Sequence, residues 1–248
     1  MADLPTSNKK LIVNADDFGR THGINLGVLE SFNNGIVTSA TIMINMPFAQ
    51  EAIQISAIHQ IPLGLHLNIT SGEFFTGSNY LFGDKGKVKN MYKNGGALTS
   101  KDMGLIIKEY EAQIAKFFKI TQKMPSHLDH HHNVQKISGY LKPYLDFIAS
   151  LKIPTRTRSH TTRVKRPDFI IESFFSEKEL TKAHLMNIIS SLKNGVSELI
   201  THPSLITGES LDSYTENPRY KQMKLLTDPE IKQAVGKAGV RLISYADL

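Results

Sequence analysis

The sequence predicts an α/β fold on a parallel sheet, with a (β/α) barrel preferred over an open doubly wound sheet. Three observations carry that prediction. Short apolar runs alternate with helical patterns along most of the chain, several of the runs end in Asp or His, and 248 residues suit one α/β barrel. Strands buried on both faces read as continuous apolar runs, and in a barrel their C-terminal ends meet at one face.

Lys10 to Asn14 is the first run, apolar until it meets polar residues. Ile24, Val28, Leu29 and Phe32 recur at helical spacing, and Asn33-Asn34-Gly35 stops that helix before the apolar run 36–45. The alternation then predicts a helix over 49–60, a strand over 62–67, a helix over 101–118 and a strand over 126–129. It continues with a helix over 135–151, a strand over 153–156, a helix over 177–192 and a strand over 196–202. A helix over 228–238 precedes a last strand over 240–245. Two stretches break the rhythm: 68–100, rich in Gly, Asn, Ser and Lys, and 203–220. Each follows a strand with a histidine near its end, and long loops in such places commonly serve as lids or binding loops. With no internal repeat, linker or low-complexity tract, residues 1–248 are expected to form a single domain, with 1–9 a flexible leader.

Composition narrows the chemistry. Hydrophobic residues at 40% and charged residues at 21% exclude a disordered chain. The absence of cysteine excludes a disulfide framework, a thiolate nucleophile and a Cys-ligated zinc site, so any metal must be held by His, carboxylate and water. Met1 to Lys10 lacks a signal-peptide pattern, and no run reaches the roughly eighteen apolar residues a membrane span needs, so a cytoplasmic protein with no membrane partner is expected. The net charge is +6, but the densest basic cluster, Arg156, Arg158, Arg163, Lys165 and Arg166, has no interleaved aromatics, so no nucleic-acid partner is expected.

Polar residues collect at the strand ends. Asp16 and Asp17 follow the first strand directly, so that one carboxylate can hold a cation while the other faces water or substrate; either could equally cap the next helix. His66 stands near the end of another strand, and His202 ends a third. Each alone reads as an ordinary hydrogen-bonded histidine. The segment from His127 to Asn133 carries four histidines, His127, His130, His131 and His132, with Asp129, a composition suited to a divalent metal such as Zn, Ni, Co or Mn. Within it, His127 and Asp129 could orient the true ligand instead. At one barrel mouth all these groups could share a pocket.

Taken together the residues resemble the YdjC/ChbG family of carbohydrate deacetylases. The resemblance rests on Leu11 to Gly19, Asn34 to Thr41, Gly64-Leu65-His66, Pro125 to Asp129, Thr201-His202-Pro203, Tyr214 with Arg219, and Gly239 to Tyr245. It implies a single-domain, distorted or incomplete (β/α) TIM-like barrel. It also implies one divalent metal ion, magnesium by resemblance, on Asp17, His66 and His131. The family pattern at the third motif resembles His-x-Asp-Ser-His-His-His-x-His; here His130 replaces Ser, and Asn133 and Gln135 replace two histidines, while Gln222 stands where relatives often carry Glu. By further resemblance to polysaccharide deacetylases, Asp16 is the general base and His202 protonates the departing amine. His127, Asp129, His130, Arg156, Tyr214 and Arg219 are expected to support the ligands or to touch substrate.

The implied activity is metal-dependent removal of acetyl groups from N-acetylated mono- or oligosaccharides, small chitooligosaccharides such as diacetylchitobiose foremost, by a possible homodimer. Two alternatives stand beside it. A metal-dependent phosphoesterase would use a similar Asp/His site, and a non-catalytic sugar-binding or regulatory relative would explain the altered third motif.

Overall fold

The N-terminal apolar run becomes the central strand β1 (Lys9–Phe18), buried on both faces from Leu11 onward. The structure, a computed structural model, describes residues 8–78, 80–159, 164–208 and 216–248. After β1 come α1 (His22–Asn33), β2 (Ser39–Ile42), α2 (Ala49–His59), β3 (Leu63–Leu67), α3 (Lys87–Asn94), α4 (Ser100–Thr121) and β4 (Leu128–His130). The remainder is α5 (Leu141–Leu151), β5 (Phe169–Ile171), α6 (Lys182–Ser190), β6 (Gly195–Thr201), α7 (Glu216–Leu226), α8 (Pro229–Lys237) and β7 (Val240–Leu242).

These strands form one seven-stranded sheet in the order β4-β3-β2-β1-β6-β5, with β7 paired to the start of β1 at Lys9–Leu11. Every pairing is parallel. The sheet curls with helices around it and stays open between β4 and β5, which makes it an incomplete (β/α) barrel. Leu11, Val13, Leu65, Leu128 and Leu199 join the inner faces of the helices in one core, each such buried side chain being worth about 1.5–3 kcal/mol.

The boundaries of several elements depart from the sequence expectation for local reasons. The expected strand over 153–156 is a single bridge, Leu128 to Thr155, because Pro154 has no N–H to give and the Thr155 N–H turns to the Lys165 carbonyl at 2.9 Å. The expected helix over 135–151 opens with a 3-10 turn, Val134–Lys136, and Gly139 at φ 83° delays α5 to Leu141. The helix expected from 177 starts at Lys182, where the Thr181 hydroxyl accepts from the His184 N–H. The last expected strand ends at Leu242, and Ser244 caps a 3-10 turn, Tyr245–Asp247. Helix α3 stands within the first irregular stretch, α7 begins within the second and runs past its end, and β5 forms where the sequence predicts no strand. The expected leader falls mostly on 1–7, outside the described residues, while the Asn8 carbonyl already accepts from Gly195.

Candidate active site

The site begins with an irregularity in β1. Ala15 pairs with Ala40 but Phe18 pairs with Ile42, so β1 carries one residue more than β2 over the same span. That bulge puts Asp17 at φ 68°, a left-handed conformation that costs a typical residue about 1–2 kcal/mol and that Asp tolerates better than most. A regular strand would send adjacent side chains to opposite faces. Here Asp16 and Asp17 both line one cavity of about 480 Å³ at the C-terminal ends of the strands.

Asp17 Oδ1 lies 3.0 Å from His131 Nδ1 and 3.4 Å from His66 Nε2, yet its geometry satisfies no hydrogen bond. Its second oxygen accepts from Arg219 Nη2. His66 Nδ1 meets Asp129 Oδ1 at 2.6 Å, and Asp129 Oδ2 accepts from Thr41 Oγ1 at 3.0 Å and lies 2.9 Å from Arg156 Nη1. A proton on Nδ1 leaves the Nε2 lone pair facing Asp17, the orientation a carboxylate-backed histidine ligand takes. Among the described residues, the donor atoms of Asp17, His66 and His131 lie within 4.8 Å of one another, and a divalent cation would satisfy the buried Asp17 oxygen. The trio Asp16, His66 and Asp129 is equally close, but hydrogen bonds from Asn14, Thr41 and Arg156 already occupy its carboxylates.

Charge sets the protonation states. Burial would raise the Asp17 carboxyl, but Arg219 and His131 outweigh it and hold the group well below the usual carboxylate range. Burial would lower His66, but Asp129 raises it to about 10, so its imidazole carries a proton that a divalent cation would have to displace. For His131 burial prevails over Asp17 and the imidazole falls below its ordinary value.

Arg156 fills the open seam of the barrel. Its guanidinium gives two bonds of 2.7 Å to the oxygens of Asp16 and bonds of 2.9 and 2.8 Å to Glu198 Oε1. Burial opposes ionisation of Asp16, but Arg156 outweighs it and the carboxyl is strongly lowered. Burial raises Glu198 despite Arg156, and Tyr245 donates to its other oxygen at 2.6 Å. The sequence expectation does not include Glu198; its signal is the one charged residue of strand β6, fully buried. His202, just past β6, has Nε2 at 3.9 Å from Asp16 Oδ2 and its ring 4.6 Å from that of Phe175. Burial lowers its imidazole to about 4, so it is neutral at pH 7.

The histidine run spreads over several environments. His131 faces Asp17, while His127 does not line the cavity and stacks on Tyr245 with ring centroids 3.7 Å apart. His130 sits among Tyr110, Tyr140 and Tyr144, with Gln135 Nε2 3.1 Å from its Nδ1. His132, at φ 59°, turns toward Thr70 Oγ1 at 2.8 Å and lines the cavity. Tyr214 lies outside the described residues.

A family model described as YdjC-like protein matches residues 10–237. The chain belongs to the YdjC-like family. It is 31% identical to a carbohydrate deacetylase of Thermoanaerobacter pseudethanolicus, over 97% of this chain and 99% of that one. It is 29% identical to a chitooligosaccharide deacetylase of Yersinia enterocolitica, over 96% of this chain and 99% of that one. Among solved structures, a candidate cellobiose-phosphate cleavage protein of Enterococcus faecalis superposes with a TM-score of 0.79 at 25% identity, covering 97% of this chain and 99% of that one.

The four positions expected to differ from the resembled pattern have definite surroundings in the structure. His130 and Gln135 are hydrogen-bonded to each other, and Gln135 also donates to the Arg156 carbonyl at 3.2 Å, so the pair braces the Arg156 segment. Asn133 lines the cavity. Gln222 uses both ends of its amide, accepting from the His202 N–H at 2.6 Å and donating to the Phe174 carbonyl at 2.8 Å.

Proposed function

We propose that the protein hydrolyses the acetamide of N-acetylated amino sugars, small chitooligosaccharides foremost, with one divalent cation. The observation that carries this reading is the convergence of His66 and His131 on the unsatisfied buried Oδ1 of Asp17, beside Asp16 and His202 in the same cavity. The relatives named as carbohydrate and chitooligosaccharide deacetylases support the reaction class.

Asp17, His66 and His131 would hold the cation, which when bound polarises the acetyl carbonyl and acidifies a water. Two imidazole nitrogens with one carboxylate oxygen suit Zn, Co, Ni or Mn by donor softness, whereas the family resemblance favours magnesium. Asp16, kept ionised by Arg156, takes the proton of the attacking water. His202, neutral at rest, receives a proton within the cavity, where Asp16 Oδ2 lies 3.9 Å from its Nε2, and passes it to the departing nitrogen. Acetate and a free amine result. No described helix is long and apolar enough to cross a membrane, and a cytoplasmic homodimer is part of the same reading.

The test is acetate release from diacetylchitobiose, measured with and without a chelator. Release that the chelator abolishes and added cation restores is expected. Hydrolysis of an aryl phosphate without acetate release from any N-acetylated sugar would overturn the proposal.

A further inference from the structure

One side of the cavity rim is aromatic. Tyr92, on α3, is 38% exposed and lines the cavity. Its ring lies 5.4 Å from that of His132, tilted by 30°, and the His132 ring lies 4.1 Å from that of His131. Tyr92 therefore stands two ring-to-ring steps from a candidate cation ligand.

We propose that Tyr92 is the stacking platform for the second sugar of an N-acetylated disaccharide or longer oligosaccharide. The proposal rests on the deacetylase reading and deepens it by setting substrate length. A pyranose presents hydroxyls at its edge and C–H groups on its faces, so it matches a flat aromatic face with polar groups beside it. The rim supplies both: Asn133 and Lys136, on the turn that α3 packs against, line the same cavity as Tyr92.

The platform is held before any sugar arrives. Val88, one turn before Tyr92, is fully buried, and Met91 packs against the core. Lys87 at the start of α3 pairs with Asp102 at 2.7 Å, and just past its end the Leu98 N–H donates to the Ser138 carbonyl at 2.9 Å. His132 is fixed by its 2.8 Å contact with Thr70. Binding to a surface already ordered avoids the entropy of ordering it.

The experiment compares kcat/KM for diacetylchitobiose and N-acetylglucosamine at saturating cation, in the wild type, Tyr92→Ala and Tyr92→Phe. In Tyr92→Ala the preference for the disaccharide should fall roughly tenfold, mainly through KM, while Tyr92→Phe keeps it. An unchanged preference in Tyr92→Ala, or an equal loss in Tyr92→Phe, overturns the platform. If the wild type releases acetate from neither of these sugars nor from any other N-acetylated sugar, the deacetylase reading fails by itself. Calorimetric titration with diacetylchitobiose then decides the platform, which stands if Tyr92→Ala alone weakens binding roughly tenfold and falls otherwise.

Discussion

Asp17 can point its carboxylate at His66 and His131 only because its own backbone is left-handed, and Arg219 holds the oxygen turned away from them. Asp16, its neighbour, is held instead by Arg156. Two substitutions separate these roles. His131→Ala should lose stoichiometric cation binding in elemental analysis, whereas Asp16→Asn should keep the cation and lose about 10²- to 10⁴-fold in kcat, the range for a positioned base. His202 gives a pH signature. Its pKa of about 4 in the folded protein lies below that of free imidazole, so the unfolded chain binds more protons between the two values. The stability it contributes is complete above about pH 6.5 and is lost as pH falls through about 4, a difference on the order of 3 kcal/mol. In urea unfolding of the metal-free protein, His202→Gln should flatten the acid limb by that amount. The identity of the strand-end residues was legible in the sequence, because a double acid and isolated histidines closing apolar runs are conspicuous. The destinations of His127, His130 and His132 were not, since a run of adjacent histidines carries no periodicity that says which one faces inward.

The elements divide in the same way. Strands β1, β3 and β6 follow from their apolar runs, whereas β5 has only three residues and none of them fully buried. Helices α3 and α7 have low mean hydropathy and stand in stretches whose polar residues read as loop. The hydrogen bonds from α7 to His202 and Phe174 make Gln222 testable. Replacement by Glu keeps the acceptor for the His202 N–H but sets an oxygen against the Phe174 carbonyl. Gln222→Glu should lower stability by about 1–3 kcal/mol in denaturant unfolding, the range for a buried group left without its donor. The mixed fate of the 153–156 segment has a similar source. Its apolar start predicts a strand, yet Pro154 restricts it to one bridge, and that irregularity delivers Arg156 to the seam.

For the whole molecule, the proposed cation would couple to folding. A cation held, as proposed, by strands β1 and β3 and by the segment after β4 would favour the folded chain, and at a hundredfold excess over Kd would add about 2.7 kcal/mol. Adding divalent cation to chelator-treated protein should therefore raise Tm by roughly 5–10 °C, a rise that His131→Ala abolishes in a thermal scan. The alternation of elements, the parallel sheet, and the kinds of residue that end its strands follow from the amino acids read in order, because hydrophobic periodicity and strand-end polarity are local properties. Three-dimensional packing alone makes Asp17, His66 and His131 face one point, sets Arg156 and Glu198 behind Asp16, and brings Tyr92 to the rim. These depend on a bulge, an open seam and contacts between residues far apart in the chain, and such long-range geometry leaves no local pattern to read.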